Sequence, residues 1–329
     1  MFFSSNILNR IFRQSNLSYS FRSVHSGRRV SHIGLAVHQG QKLSGPDRSP
    51  QLLKEHGLMQ LINETGWALR NDIRFTEVLH DDPSGAAGTA VNARNHHSIG
   101  LNLGQVNTIV SHAIKEDDFT LIIGGDHSIS IGTVPAILAH RPNTGVIWVD
   151  AHADINTPQT SPSGNIHGMS VAFLLGLVDK SRMPSFDWFQ PCLEPQNLVY
   201  IGLRDLDSEE KQVLRRLGIK VFTMHEVDRY GVGEVMRQCV EYLKTPYVHL
   251  SYDIDALDPF FAPHTGTSVR GGLTFREGNY ICEILAESQR LRSMELVEVN
   301  PNLHSNLALK TTIDTALTLV GSALGQKIL

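Results

Sequence analysis

The sequence predicts an α/β fold in which helices cover both faces of a mainly parallel sheet, and three observations predict it. From Ser31 onward, short apolar runs alternate with longer segments of helical periodicity, the pattern of βαβ units. The runs lack strict polar alternation, as strands buried on both faces do. Four of them end in, or lead directly to, clustered Asp, Glu and His residues, and in an open parallel sheet the carboxyl ends of strands line the functional crevice.

Taken in order, the strand candidates are 32–37, 119–125, 145–150, 197–203, 219–224, 247–253 and 294–299, most of them rich in Val, Ile, Leu and aromatics. Apolar spacing near 3.6 places helices near 50–65, 100–116, 128–140, 168–178, 208–217, 231–244, 275–290 and 307–323. Glycine and proline gather at 81–88, 157–165 and 258–272, which read as loops. No internal repeat or low-complexity linker interrupts the chain, so residues 31–329 read as one domain.

The 329 residues are 41% hydrophobic and 19% charged, which describes a globular chain with enough apolar mass for a sizeable core. No run approaches the roughly 18 apolar residues a membrane span needs, so no membrane partner is expected. The net charge of −4 comes without a basic block in the body of the chain, which argues against nucleic acid. Cys192, Cys239 and Cys282 are too few and too scattered for a disulfide framework or a thiolate metal cluster, and read as free thiols.

The first thirty residues differ from the rest. They hold five Arg, seven Ser and no acid, with Phe2, Phe3, Ile7, Leu8, Ile11 and Phe12 at roughly helical spacing. This is the composition of a mitochondrial transit peptide, with a disordered basic tail as the alternative. Delivery to the mitochondrial matrix follows from the first reading and a cytoplasmic location from the second. Without this segment 24 basic side chains would face 33 acidic ones, a net −9 that would attract cationic substrates.

The clustered residues carry the chemistry. His127 lies in "GGDHS" after the second strand candidate, and "DAHAD" sets Asp150, His152 and Asp154 at the end of the third. "SYDIDALDP" brings Asp253, Asp255 and Asp258, and "LVEVNP" brings Glu298 beside Asn300. Alternate residues of an extended segment share a face, so Asp150, His152 and Asp154 are expected to converge, and likewise Asp253 and Asp255. So many acids at the ends of apolar strands would repel one another severely without a cation. Two imidazoles (His127, His152) and four carboxylates (Asp150, Asp154, Asp253, Asp255) exceed one coordination sphere, so two metal ions sharing carboxylates fit better. Oxygen donors in the majority, with imidazole and no thiolate, favour Mn(II) over Co, Fe or Zn. Two such ions about 3.5 Å apart would activate water for hydrolysis. A structural cation, or an acidic cluster capping helices, is the competing reading.

"GGDHS", "DAHAD" and "SYDIDALDP", in this order, resemble the three signatures of the ureohydrolases, the arginase and agmatinase family, and the resemblance runs from about Ser31 to the C-terminal helix. It implies a three-layer α/β/α fold and two Mn2+ per subunit. One ion would take His127, Asp150, Asp154 and Asp253, the other Asp150, His152, Asp253 and Asp255. A hydroxide bridging them would attack a guanidinium carbon and release urea and an amine. His167 matches the proton-shuttling histidine and Glu298 the acid that holds the guanidinium.

Segment 154–170 resembles the arginase branch, which implies recognition of an amino acid head group. Asn156, Ser163 and Asn165 would read the carboxylate, Asp207 and Glu210 the ammonium, and Thr267 joins this substrate-binding set. Ser161 stands where arginases commonly carry threonine, which preserves the hydroxyl. The resemblance is loose over 35–50, and Arg276 with Glu277 matches a pair at the family's trimer interface, implying a homotrimer. The favoured activity is hydrolysis of L-arginine to L-ornithine and urea. The alternatives are agmatine or a guanidino acid as substrate, or a non-catalytic binding relative. His96, His97, His112, His225 and His249 receive no function.

Overall fold

The sheet is built from β1 (Arg29–Ala36), β2 (Ala68–Thr76), β3 (Phe119–Ile123), β4 (Thr144–Val149), β5 (Leu198–Leu203), β6 (Lys220–Thr223), β7 (Tyr247–Asp253) and β8 (Leu291–Val297). The computed structural model describes residues 27–80, 91–303 and 306–326. The expected loop at 81–88, and residues 1–26 of the expected leader, lie outside the described residues. β1 begins at Arg29, so a cut after residue 30 would remove its first two residues.

All eight strands belong to one sheet in the order β2-β1-β3-β8-β7-β4-β5-β6, and their pairings are parallel. The helices are α1 (Ser49–Glu55), α2 (Leu58–Glu64), α3 (His96–Ala113), α4 (Ser130–His140), α5 (Ser170–Leu174), α6 (Ser208–Leu217), α7 (Met224–Tyr242), α8 (Phe275–Glu287) and α9 (Asn306–Ala323). They form two layers with separate apolar cores. Leu121, Ile147, Val149, Leu250 and Leu296 pack with side chains of α1, α2, α7, α8 and α9. Their strand neighbours Ile122, Val146, Trp148 and Val297 pack with α3, α4, α5 and α6. Strand residues thus alternate between two cores, which explains apolar runs without polar alternation.

β2 escaped the sequence reading because Arg70, Asn71, Asp72 and Arg74 give it the polar texture of a loop. It is one of the two edge strands, where charge discourages pairing with another chain. The expected helix at 50–65 breaks into α1 and α2 around Gly57, whose φ of 101° an α-helix cannot use. The helix expected at 231–244 begins earlier, at Met224, capped by Thr223 and Glu226, and kinks at Gly231 (φ 75°). The helix expected at 168–178 is only α5, preceded by a 3-10 turn over Ile166–Met169.

The four strands that carry the chemistry, β3, β8, β7 and β4, are consecutive in the middle of the sheet. Their ends are locked together beyond the ladders. Asp126 N donates to Val37 O at 2.9 Å, and Glu298 N donates to Gly125 O at 2.8 Å. Gly125 lies at this crossing, where an added methyl would run into the carbonyl of Val37. Gly125→Ala should therefore destabilise the fold by about 1–3 kcal/mol, the cost of overpacking against backbone that cannot yield. Urea denaturation measures this, and a midpoint equal to wild type would show that the strand ends are free to part.

Candidate metal centre

His127 opens a 3-10 turn after Gly124, Gly125 and Asp126, which follow β3, and Asp126 shapes that turn. The Asp126 carboxylate accepts from Ser128 N at 3.0 Å and from Gly40 N at 2.7 Å. Asp253 is the last residue of β7, and its Oδ1 accepts from Asp255 N at 2.8 Å, starting the turn Ile254–Ala256. After β4 the chain bends at once. His152 N donates to Asp150 Oδ1 at 2.7 Å, and Asp154 adopts a left-handed conformation with φ 50°.

The convergence expected from alternating faces of an extended segment is therefore corrected in its cause. Asp150, His152 and Asp154 do meet, but β4 ends at Val149 and the residues beyond it meet through turns. Each turn is closed by an aspartate accepting a backbone N–H two residues on, a local bond that competes with strand continuation.

Two groups result among the described residues. His127, Asp150 and Asp154 form one, and Asp150, His152 and Asp255 the other, so Asp150 belongs to both. His127 Nδ1 lies 3.2 Å from Asp150 Oδ2, 3.1 Å from Asp154 Oδ2 and 3.2 Å from Asp253 Oδ2. His152 Nδ1 lies 3.4 Å from Asp150 Oδ1 and 3.2 Å from Asp255 Oδ2. Asp150 thus turns one oxygen to each imidazole. His127 Nδ1 is buried and meets the geometry of a hydrogen bond with none of its three carboxylate neighbours. A lone pair facing several carboxylate oxygens suits a cation between them, so the donor set fits divalent metal ions.

The electrostatics agree. Burial, with Asp255 and Asp150 close by, pushes the Asp253 carboxyl well above its usual range. Asp154 rises to about 6 through burial and the charge of Asp150. Burial opposes charge on His127, yet the carboxylates of Asp150, Asp154 and Asp253 hold its proton affinity well above the ordinary value. His152 is likewise burdened by burial and raised by Asp255 and Asp150. Protons and divalent ions would therefore compete for these groups.

Around the two groups lie residues that hold them. Trp148 stacks on His127 with ring centroids 4.0 Å apart and donates to Asp150 Oδ2 at 3.0 Å. Thr267 Oγ1 donates to Asp255 Oδ2 at 2.8 Å. Glu298, left-handed with φ 65°, accepts from His127 N and His167 Nδ1, both at 2.9 Å, and from Gln41 Nε2 at 2.5 Å. Burial lowers the proton affinity of His167, but Glu298 outweighs it and lifts the imidazole to about 9.

A cavity of about 150 Å³ opens over the groups, lined by His152, Asp154 and Asp253 from the two groups and their neighbours and by Asn156, Ser161, Ser163, Asp207 and Glu210. His167 and Thr267 also face it, whereas Asn165 and Glu298 are absent from its lining. Asn156 Nδ2 donates to Asp207 Oδ2 at 2.9 Å. Glu210 accepts from the backbone N–H of Asp207 at 2.9 Å and of Ile155 at 3.3 Å, and burial raises its carboxyl to about 7. Arg276 and Glu277 begin α8, where Arg276 pairs with Glu283 at 2.6 Å and Glu277 accepts from Thr274 N at 2.8 Å. Cys239 and Cys282 are buried free thiols, and Cys192 is a partly exposed one.

The sequence reading missed Asp205, which faces the cavity, and Gln41, Asp126, Ser251 and Glu295, which support the ligands. A usable signal existed for two of them. His249 and Ser251 in β7, like Ser293 and Glu295 in β8, are polar at alternate positions of strands otherwise apolar, which marks a buried polar row.

The profile of the Arginase family matches residues 28–325. The chain is 42% identical over 327 residues to "Arginase-2, mitochondrial" of Bos taurus, covering 97% of this chain and 90% of the relative. It is 41% identical over 305 residues to "Arginase" of Glaciozyma antarctica, covering 90% and 88%. Among solved structures, native arginase from Bacillus caldovelox at pH 5.6 superposes with a TM-score of 0.84 at 38% identity, covering 92% of this chain and 99% of that one.

Because Asp150 is the residue common to both groups, Asp150→Ala should remove metal from both, whereas His152→Ala should empty only one. Metal content by plasma mass spectrometry after dialysis reads this directly. Two ions per chain retained by the Asp150 variant would end its bridging role.

Proposed function

This chain belongs to the arginase family, and from that membership we propose that it hydrolyses the guanidinium group of L-arginine to L-ornithine and urea at a binuclear manganese centre. One observation carries the reading. Two imidazole–carboxylate groups share Asp150 beside a cavity that also presents an amide, hydroxyls and carboxylates. The imidazoles and aspartates of the lining suit metal ions and a guanidinium, and the remaining lining suits an amino acid head group.

His127, Asp150, Asp154 and Asp253 would hold one ion, and Asp150, His152, Asp253 and Asp255 the other. Once bound, the pair supplies Lewis-acid activation of water near neutral pH. The protein's own groups do the rest. Asp154 and Glu298 keep negative charge around the guanidinium, while Thr267 fixes the Asp255 carboxylate. His167, paired with Glu298 through Nδ1, is kept charged and faces the cavity, so it can give a proton to the departing amine. Water, guanidinium and that proton transfer account for urea and an alkylammonium product.

Asn156, Ser163 and Asn165 offer amide and hydroxyl groups to the substrate carboxylate, and Asp207 and Glu210 offer acceptors to its ammonium. The Asn156–Asp207 hydrogen bond ties these two recognition segments together. Agmatine has no carboxylate for the first segment to read. The manganese assignment rests on the oxygen-rich donor set. A mitochondrial address is supported by the acid-free, arginine-rich first thirty residues and by the printed name of the Bos taurus relative. Exposed Arg276 at the start of α8 supports a homotrimer in which it would reach a second copy.

His167→Ala should lower kcat by about 100-fold or more, the usual worth of a positioned proton donor, while changing KM much less. An equal loss in KM alone would make it a binding residue. The substrate assignment is tested by urea release from the manganese-loaded protein with L-arginine, agmatine and 4-guanidinobutyrate side by side. Arginine should be strongly preferred. Preference for either analogue would retain the metal chemistry and overturn the head-group reading, and no urea from any would leave a binding protein.

A further inference from the structure

Behind the His127 ring, on the side away from the aspartates, lies a buried polar cluster that the proposed chemistry does not use. His127 Nε2 is 2.8 Å from Ser251 Oγ, and that hydroxyl donates to Glu295 Oε1 at 2.7 Å. Ser130 and Thr133, in the first turn of α4, donate to Glu295 Oε1 and Oε2 at 2.6 and 2.5 Å. His249 Nε2 lies 3.4 Å from the same carboxylate and its Nδ1 lies 2.9 Å from Ser293 Oγ. Every one of these side chains has 0% exposure.

The sheet register explains how they meet. Ser251 is the cross-strand partner of Glu295 in β8 and of Trp148 in β4, and His249 is the partner of Ser293. Glu295 stands between Met294 and Leu296, which face the opposite core, so its carboxylate points into the α4 layer. A wholly buried carboxylate is costly to desolvate, and an apolar residue would pack here without that cost. Its neighbours show what it does.

An ionised carboxylate can only accept hydrogen bonds, and a serine or threonine hydroxyl has one proton to donate. Ser130, Thr133 and Ser251 therefore all direct their protons at Glu295. Ser251 is left with lone pairs alone to offer His127, so the ring proton sits on Nε2 and the free lone pair on Nδ1. Nδ1 is the atom aimed at Asp150, Asp154 and Asp253. We propose that Glu295, acting through Ser251, is a positioning residue that fixes His127 in the one tautomer able to ligate a divalent cation through Nδ1. This rests on the reading of the His127 group as a metal site.

Three variants of the full-length protein separate this role from simple packing. Ser251→Ala breaks the relay, Glu295→Gln removes the charge that holds the Ser251 proton, and Thr133→Val removes only the hydrogen bond to the other Glu295 oxygen, Oε2, leaving the path from Oε1 through Ser251 to His127 in place. Calorimetric titration of each metal-free protein with Mn2+ reads affinity. Ser251→Ala and Glu295→Gln should weaken one of the two binding steps by about 10–100-fold, as loss of an outer partner of a ligating histidine does, and leave the other step unchanged. Thr133→Val should keep both affinities. A second readout is the one-bond N–H correlation of His127 Nε2 in zinc-loaded, 15N-histidine-labelled protein. It should be present in wild type and Thr133→Val, and lost or shifted in the other two. A correlation on Nδ1 in wild type, or Mn2+ affinities unchanged in Ser251→Ala and Glu295→Gln, would overturn the relay alone. Equal weakening of both steps in all three variants would also overturn it, in favour of packing. If the wild-type protein takes up no Mn2+, the metal reading falls and the relay with it.

Discussion

Four aspartates and two histidines crowd the ends of three of the four central strands, β3, β7 and β4, and nearly everything else in the molecule follows from making that arrangement tolerable. Asp150, Asp154, Asp253 and Asp255 are all buried, and an unpaired buried carboxylate costs several kcal/mol even after relaxation. His127 and His152 offset part of this, with Nδ1 of each against two or three carboxylate oxygens. The imidazoles alone cannot balance four acids, which is why burial and mutual repulsion drive Asp154 and Asp253 upward. A pair of divalent cations would close that balance. The same pressure would give such a site its affinity, since part of what the fold gives up in placing the acids would be returned on metal binding.

Such a site must also be held still, and the backbone does much of the holding. Asp154 and Glu298 both sit in the left-handed region, at φ 50° and 65°. Aspartate visits it with help from its short side chain, but glutamate has no such help, so Glu298 carries about 1–2 kcal/mol of local strain. Its position is over-determined by His127 N, His167 and Gln41 on its carboxylate and by Gly125 O on its own N–H. Arg204 plays a comparable part for the β7 turn. Its guanidinium donates to the carbonyls of Asp255, Ala256 and Val269, joining the turn that presents Asp255 to the loop that carries Thr267.

Much of this was legible in the sequence, and the limits have physical causes. Strand-end motifs gave the ligands because a parallel sheet must expose its carboxyl ends somewhere, and acids clustered after apolar runs are too costly to bury without a cation. β2 was hidden because an edge strand need not be apolar, and charge there protects it. The breaks at Gly57 and Gly231 were hidden because periodicity continues through a residue whose φ alone changes sign. The turns that bring Asp150, His152 and Asp154 together were mistaken for extended chain because both conformations accept the same spacing. Glu295 and Ser251 escaped for a different reason. Ser251 opens the 251–259 motif and Glu295 lies outside any motif, and alternating polarity marks both as buried polar positions, but the register that sets them side by side is what reveals their purpose.

Reactivity and recognition are assigned to different parts of the chain, and two residues keep them in step. The groups proposed to hold metal stand on strand ends or on turns anchored to them, which the two apolar cores fix from both faces. The residues proposed to read a head group lie on the loop after β4 and on the loop and first turn that open α6, where sequence can change at less cost to a core than in a strand. Asp154 belongs to both sets, since it faces His127 and also begins the first recognition loop. Glu210 joins the loops from below, accepting from Ile155 N on one side and Asp207 N on the other. A shift in either segment would therefore displace a proposed ligand as well as a proposed recognition group. In that reading the separation lets specificity vary, while the shared residues tie the seating of a head group to the placement of the ligands.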